Sequence, residues 1–148
     1  MTEPTASTLP APMPEIQPET AAFWAATSRG VLLLQRCAGC GTVLWYPRFV
    51  CANCHSSDLV DFEASGRGTV YSFTLTTRGI LEYADAGSYV LAMVELDEGP
   101  KMMTNIVGCD PAEISIGMPV EVEFHPCGSE ADDPALPRFR TQRRPDDE

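Results

Sequence analysis

Lysine is almost missing from this chain, and histidine is scarce. Nine of the ten basic residues are arginine, Lys101 is the lone lysine, and the two histidines, His55 and His125, lie far apart. Against them stand 21 aspartates and glutamates, for a formal net charge of −11. A chain of that sign is repelled by nucleic-acid phosphates and by anionic membranes, so neither is expected as a partner. Long apolar runs are also lacking, and none could cross a bilayer. The N-terminus has no basic region followed by an apolar core, which argues against a secretory signal. A reducing, cytoplasmic setting is therefore expected, where clustered cysteines bind metal rather than form disulfides. A catalytic constellation is missing too. His55 adjoins a cysteine cluster and His125 is expected on an outward strand face, and neither suggests an activated nucleophile.

What the chain does have is a cysteine clip. Cys37 and Cys40 form one C-x-x-C, Cys51 and Cys54 a second, and ten residues separate them. Each pair can present two sulfurs from one tight turn, and the spacer is long enough for a strand between the turns. Four thiolates then meet at a tetrahedral site, which suits Zn²⁺ at about 2.3 Å per sulfur. Iron suits the same soft ligands. Four cysteines fill the coordination sphere, so the site reads as structural. Arg36 and Arg48 flank the cluster and are expected to offset the −2 charge of a Zn(Cys)₄ unit. Trp45 and Phe49 are expected to pack over the knuckles or to face a ligand. Cys109 and Cys127 stand apart and read as incidental thiols.

With 148 residues, 44% of them hydrophobic, the chain can build one or two small cores. Residues 1–15, with four prolines, read as a flexible or polyproline-like tail. Pro18 and Glu19 suit a first helical turn, and Gly30 a stop. Phe23 and Trp24 on that helix either anchor it or face a partner or ligand. Val31–Gln35 and Val43–Tyr46 suit ribbon strands. Gly66 and Gly68 predict a bulge or bend at the start of a strand over Thr69–Thr77. Tyr89–Leu96 is nearly continuous in apolar character and reads as buried on both faces. Pro119–His125 alternates, with Val120, Val122 and Phe124 inward. Strands at Lys101–Val107 and near Leu136–Thr141 bring the number after the clip to five. The expected fold class is mainly β: an N-terminal helix and zinc ribbon over 16–62, a five-stranded OB-fold barrel over 63–143, for which a small antiparallel sandwich would look similar in sequence, and an acidic tail over 144–148.

The order of these pieces carries a resemblance. A helix with Phe23-Trp24 precedes Leu32, Arg36, Cys37, Cys40 and Gly41. Pro47, Arg48, Cys51 and Cys54 follow, and then Gly66, Gly68 and Val70-Tyr71-Ser72-Phe73-Thr74. Over roughly residues 16–143 the chain resembles the DUF35 family, in which a rubredoxin-like zinc ribbon precedes an OB fold. The resemblance implies a structural zinc and a role as accessory subunit of thiolase-like enzymes acting on acyl-CoA thioesters. Aldolases that shorten steroid side chains are among them. It implies further that the partner carries the catalytic residues and that this subunit stabilises it and helps wall its CoA channel. Without a fused hydratase domain, the chain is expected to act as a separate polypeptide. The residues expected to meet CoA or the partner are Phe23, Trp24, Arg48, Arg138 and Arg140. Arg143, Arg144 and Arg78 are weaker candidates of the same kind. The competing expectation is a single-stranded nucleic-acid module with Tyr71 and Phe73 as stacking platforms; the acidic charge argues against it.

Overall fold

A computed structural model describes residues 9–142. Arg143, Arg144 and the acidic tail lie outside the described residues, as do residues 1–8. A 3₁₀ turn at Pro18–Thr20 leads into helix α1, Ala21–Thr27. Gly30, at φ 72°, adopts the left-handed conformation that ends the helix. Three short strands follow: β1 (Leu33–Cys37), β2 (Val43–Leu44) and β3 (Leu59–Glu63), in the order β2-β1-β3 and antiparallel.

The remaining strands are β4 (Arg67–Thr76), β5 (Tyr89–Leu96), β6 (Lys101–Val107), β7 (Pro119–Pro126) and β8 (Ala135–Thr141). They close a barrel in the order β4-β5-β6-β8-β7, with β6 and β8 parallel and every other pair antiparallel. Five strands in this circuit are an OB fold. Asp110 caps the 3₁₀ turn Pro111–Glu113 between β6 and β7 by accepting from the Ala112 N–H at 2.9 Å.

Of the bulge or bend expected at the start of β4, the structure has the bend, at Gly66 with φ 79°, and both glycines also allow close approach. A Cβ on Gly68 would lie 2.5 Å from the Glu95 carbonyl oxygen, and one on Gly66 2.7 Å from Val122 Cγ1. The bulge falls later, at Tyr71, where the β4–β5 register slips between Val70 and Ser72. Strand β5 also departs from expectation. Val90, Ala92, Val94 and Leu96 are buried, but Leu91 and Met93 on the other face are half-covered and Glu95 is exposed. The inward side of β7 is as read, with Val120 buried and Val122 and Phe124 packed on the core, while Glu121, Glu123 and His125 opposite are half-buried and not open to solvent.

The main core joins barrel and ribbon. Phe23, Trp24, Leu32 and Leu34 pack with Val70, Val94, Val120 and Phe139. Thr27 fastens the helix to β8: its hydroxyl donates to the Trp24 carbonyl at 2.6 Å and accepts from the Ala135 N–H at 3.0 Å. A separate small core holds Cys37, Leu44 and Cys51, with Leu59 against it. Residues 9–12, expected within a free tail, are half-buried instead.

Candidate metal centre and binding surface

The two knuckles are built alike. In the first, the Gly41 N–H donates to the Cys37 carbonyl at 2.8 Å, and the Cys37 N–H to the Thr42 carbonyl at 2.9 Å. In the second, His55 donates to Cys51 at 3.0 Å, and Cys51 to Ser56 at 2.8 Å. Each knuckle turns on a left-handed residue, Gly41 at φ 77° and His55 at φ 65°. The first cysteine of each pair is buried and the second exposed.

The four sulfurs lie within 4.8 Å of one another. Cys37 and Cys54 Sγ are 3.5 Å apart, and Cys40 and Cys51 Sγ 3.7 Å. Tetrahedral ligation at about 2.3 Å places sulfurs about 3.8 Å apart, so the arrangement fits one Zn²⁺. Donors for thiolates are already in place. The Asn53 N–H reaches Cys51 Sγ at 3.3 Å, its side-chain amide reaches Cys40 Sγ at 3.5 Å, and the Thr42 hydroxyl lies 3.1 Å from Cys40 Sγ. The Thr42 and Asn53 contacts pull the Cys40 thiol down to about 5. Cys54 moves the other way, up to about 12. The Ser56 backbone contact lowers it, but the neighbouring Cys37 and Cys40 sulfurs together outweigh that. Holding Cys54 as a thiolate is thus the demand that a bound cation meets.

Among the described residues neither flanking arginine hydrogen-bonds to a cysteine sulfur. Arg36 lies opposite Val60 in the register, and its guanidinium stacks 4.6 Å from the ring of Phe62, the diagonal neighbour on β3. Arg48 is positioned through its backbone. The buried Gln35 amide accepts from the Arg48 N–H at 2.8 Å and donates to its carbonyl at 3.0 Å. The Arg48 side chain is exposed and enters no ion pair among the described residues. Phe49 is 63% exposed instead of packing on the knuckles. It borders a concavity of roughly 440 Å³ with Glu19, Tyr46, Pro47, Arg48 and Val50.

Phe23 and Trp24 are buried and join Trp45 and Tyr46 in an aromatic cluster. Phe23 meets Trp24 edge-on at 5.0 Å between centroids and Tyr46 at 5.7 Å. The Trp24 indole N–H donates to the Tyr46 hydroxyl at 3.1 Å. The cluster walls a cleft of roughly 210 Å³, completed by Met102, Met103 and Arg138. The Trp45 indole N–H is buried without an acceptor among the described residues.

Arg138 and Arg140 sit in different settings. Arg138 is 1% exposed. Its guanidinium donates to His125 Nδ1 at 2.9 Å, to the Tyr83 hydroxyl at 3.2 Å, and to the Leu9 and Pro10 carbonyls. With Nδ1 accepting, the other ring nitrogen of His125 donates to Glu123 at 2.7 Å. His125, expected on an outward strand face as a structural or solvated residue, takes the structural part, held between Arg138 and Glu123. Arg140 remains exposed and ion-paired, at 2.9 Å from Glu121 and 3.9 Å from Glu123. Cys109 and Cys127 are half-buried, and burial pushes both thiols up, with Glu113 and Asp110 adding to the shift at Cys109. Sequence reasoning missed Gln35 and Thr42; Asn53 is legible as one of the small or polar knuckle residues whose backbone N–H turns toward a sulfur, and it does so at Cys51. The polar residues beside each knuckle were the one available signal.

Comparison with known proteins places these features in a family. Residues 24–60 match the model described as the ChsH2 rubredoxin-like zinc ribbon domain, and 62–125 the ChsH2 C-terminal OB-fold domain. A probable enoyl-CoA hydratase alpha subunit of Thermomonospora curvata is 39% identical over 129 residues, covering 87% of this chain. This chain spans only 39% of that relative's length. A DUF35 domain-containing scaffold protein of Methanothermobacter thermautotrophicus is 35% identical over 99 residues, covering 66% of this chain and 74% of the relative. Among solved structures, a chain of the Ltp2-ChsH2(DUF35) aldolase superposes with a TM-score of 0.72 at 39% identity. The match covers 86% of this chain and 98% of that one. The paired knuckles, the barrel circuit and these likenesses together make the chain a member of the DUF35 family.

Proposed function

We propose that this chain is a non-catalytic accessory subunit of a thiolase-like enzyme, an aldolase or acyltransferase acting on acyl-CoA thioesters. The acyl group is that of a steroid side chain or another lipid, and the site of action is the cytoplasm. The observation that carries this reading is the likeness to the DUF35 chain of an aldolase, which this chain matches over 98% of that chain's length. Among the described residues no helix is long and apolar enough to cross a membrane. The geometry supports a presenting role: a zinc clip holds the loop at Arg48 and Phe49 outward beside the aromatic cleft, and Tyr46 borders both concavities.

Within that reading, the exposed Arg48 guanidinium is assigned to a CoA phosphate, and the cleft at Phe23, Trp24 and Arg138 to the neighbouring part of the partner contact. Arg140 lies at the barrel rim of the same subunit, held by Glu121. Co-expression with a thiolase-like partner tests the whole. The expected result is a stable complex whose acyl-CoA turnover falls when this chain is withheld. A partner equally stable and active alone overturns the reading. In the complex, Arg48→Gln is expected to raise KM for the acyl-CoA about tenfold with kcat little changed. An unchanged KM removes Arg48 from the CoA path.

A further inference from the structure

Strand β4 is covered along only part of one edge. It pairs with β5 along its length, but with β7 only over Arg67–Thr69, and Val70 makes the last backbone bonds on that side, to Gly117 and Met118. From Tyr71 to Thr76 the second edge has no strand partner among the described residues. Exposed strand edges are usually blunted by charge, proline or brevity. This one carries none of these: Tyr71-Ser72-Phe73-Thr74-Leu75-Thr76 has no charged residue and no proline. The lone lysine guards only its base, where Lys101 sits over the Tyr71 ring at 4.7 Å.

The side chains agree with the backbone. Phe73 and Leu75 pair with the inward-facing Ala92 and Val90, yet they are 38% and 46% exposed because the barrel does not close over them. Beyond them, Ile80 and Leu81 at the turn of the same arm are 77% and 80% exposed. The arm is held in place. Tyr83 bonds to Arg138, and Gly79 lies so close to the Tyr83 carbonyl that a side chain there would collide with it. A groove along the arm, with Phe73, Leu91, Met93 and Met103, adjoins the aromatic cleft through Met103.

We propose that the open edge Tyr71–Thr76 receives a β-strand from the partner subunit, which extends the barrel sheet and covers Phe73 and Leu75. This rests on the accessory-subunit reading and names where the partner pairs. An unpaired row of backbone N–H and C=O groups recognises another extended chain, and the alternate apolar side chains select it. Net charge selects the occupant. A second copy would bring another −11 against this chain, so the strand comes from a less acidic protein. The groove across β4, β5 and β6 meets the cleft at Met103, so a strand added to β4 extends the same sheet that lines the face assigned to the partner.

Hydrogen exchange on the isolated chain and on the complex tests this. Amides within 71–76 that exchange fast in the isolated chain are expected to slow on the order of a hundredfold in the complex. Equal exchange in both, in a complex that does form, overturns the pairing while leaving the accessory role intact. Failure of the wild-type chain to bind any thiolase-like partner overturns both. Leu75→Lys is expected to weaken the complex about tenfold or more by placing a charge on the paired edge, with zinc content unchanged. Wild-type affinity in that variant overturns the proposal. If the variant fails to fold, the exchange measurement decides alone. Concentration-dependent dimers of the isolated chain, with 71–76 protected, assign the edge to a second copy and overturn the hetero-pairing.

Discussion

His55 holds in the second knuckle the position that Gly41 holds in the first. Both donate back to the first cysteine of their pair, and both adopt positive φ. A Cβ in the left-handed region costs about 1–2 kcal/mol, and histidine is among the residues that tolerate it best. The ring is exposed and is not among the four sulfur ligands. His55→Gly is therefore expected to leave zinc content unchanged and to be neutral or stabilising by up to about 1 kcal/mol. Gly41→His is expected to cost about 1 kcal/mol, since open space surrounds Gly41 and only the backbone objects. Thermal unfolding of the metal-bound variants checks both. A large loss of stability or metal in His55→Gly would give the imidazole a role that its geometry does not suggest.

At the scale of the elements, Gln35 works as a piece of backbone. Its buried amide makes the two bonds to Arg48 that a neighbouring strand would have made, and so fixes the loop between β2 and the second knuckle. Gln35→Leu keeps the bulk and removes both bonds, for an expected loss of about 1–3 kcal/mol and faster exchange of the Arg48 amide. Wild-type stability in this variant would mean that the zinc alone holds the loop. Tyr83 plays the matching part for the β4–β5 arm. Tyr83→Phe removes a bond to the buried Arg138 guanidinium, and a loss of about 1.5 kcal/mol is expected, with exchange rising across residues 79–84. Unchanged exchange there would show the arm to be anchored elsewhere. These pairs also mark the limit of what the sequence discloses. The knuckles and the alternation of β7 are legible because ligand spacing and strand period are local. The surroundings of Arg138 are not, because its partners come from Pro10, Tyr83 and His125, far apart in the chain. An arginine opposite Glu123 reads as free to meet CoA or the partner until Pro10, Tyr83 and His125 are seen to take its donors. Strand β5 misleads for a different reason: Leu91 and Met93 are apolar on a face that the chain itself leaves half covered.

For the whole molecule, the division of the core decides what the metal holds. Cys37, Leu44 and Cys51 form a cluster of their own, too small to offset the ordering of the knuckle loops without a ligand. Leu32, Leu34, Phe23 and Trp24 belong instead to the barrel core, and Thr27 ties the helix to β8. Removing zinc should therefore open the molecule from one end. Chelation is expected to abolish amide protection across Cys37–Leu59 while the strands from Arg67 to Thr141 keep theirs, because among the described residues the buried cysteines cluster with Leu44 and Leu59 and not with the barrel core. The Arg48 loop lies within the opened stretch and the β4 edge outside it. The metal-free chain should thus lose the loop half of the partner contact and keep the sheet half, so the complex weakens without vanishing. Exchange mapped by mass spectrometry before and after chelation, with partner affinity measured on the same samples, separates this from its rival. Loss of protection throughout the barrel on chelation would mean that the clip and the barrel fold as one cooperative unit.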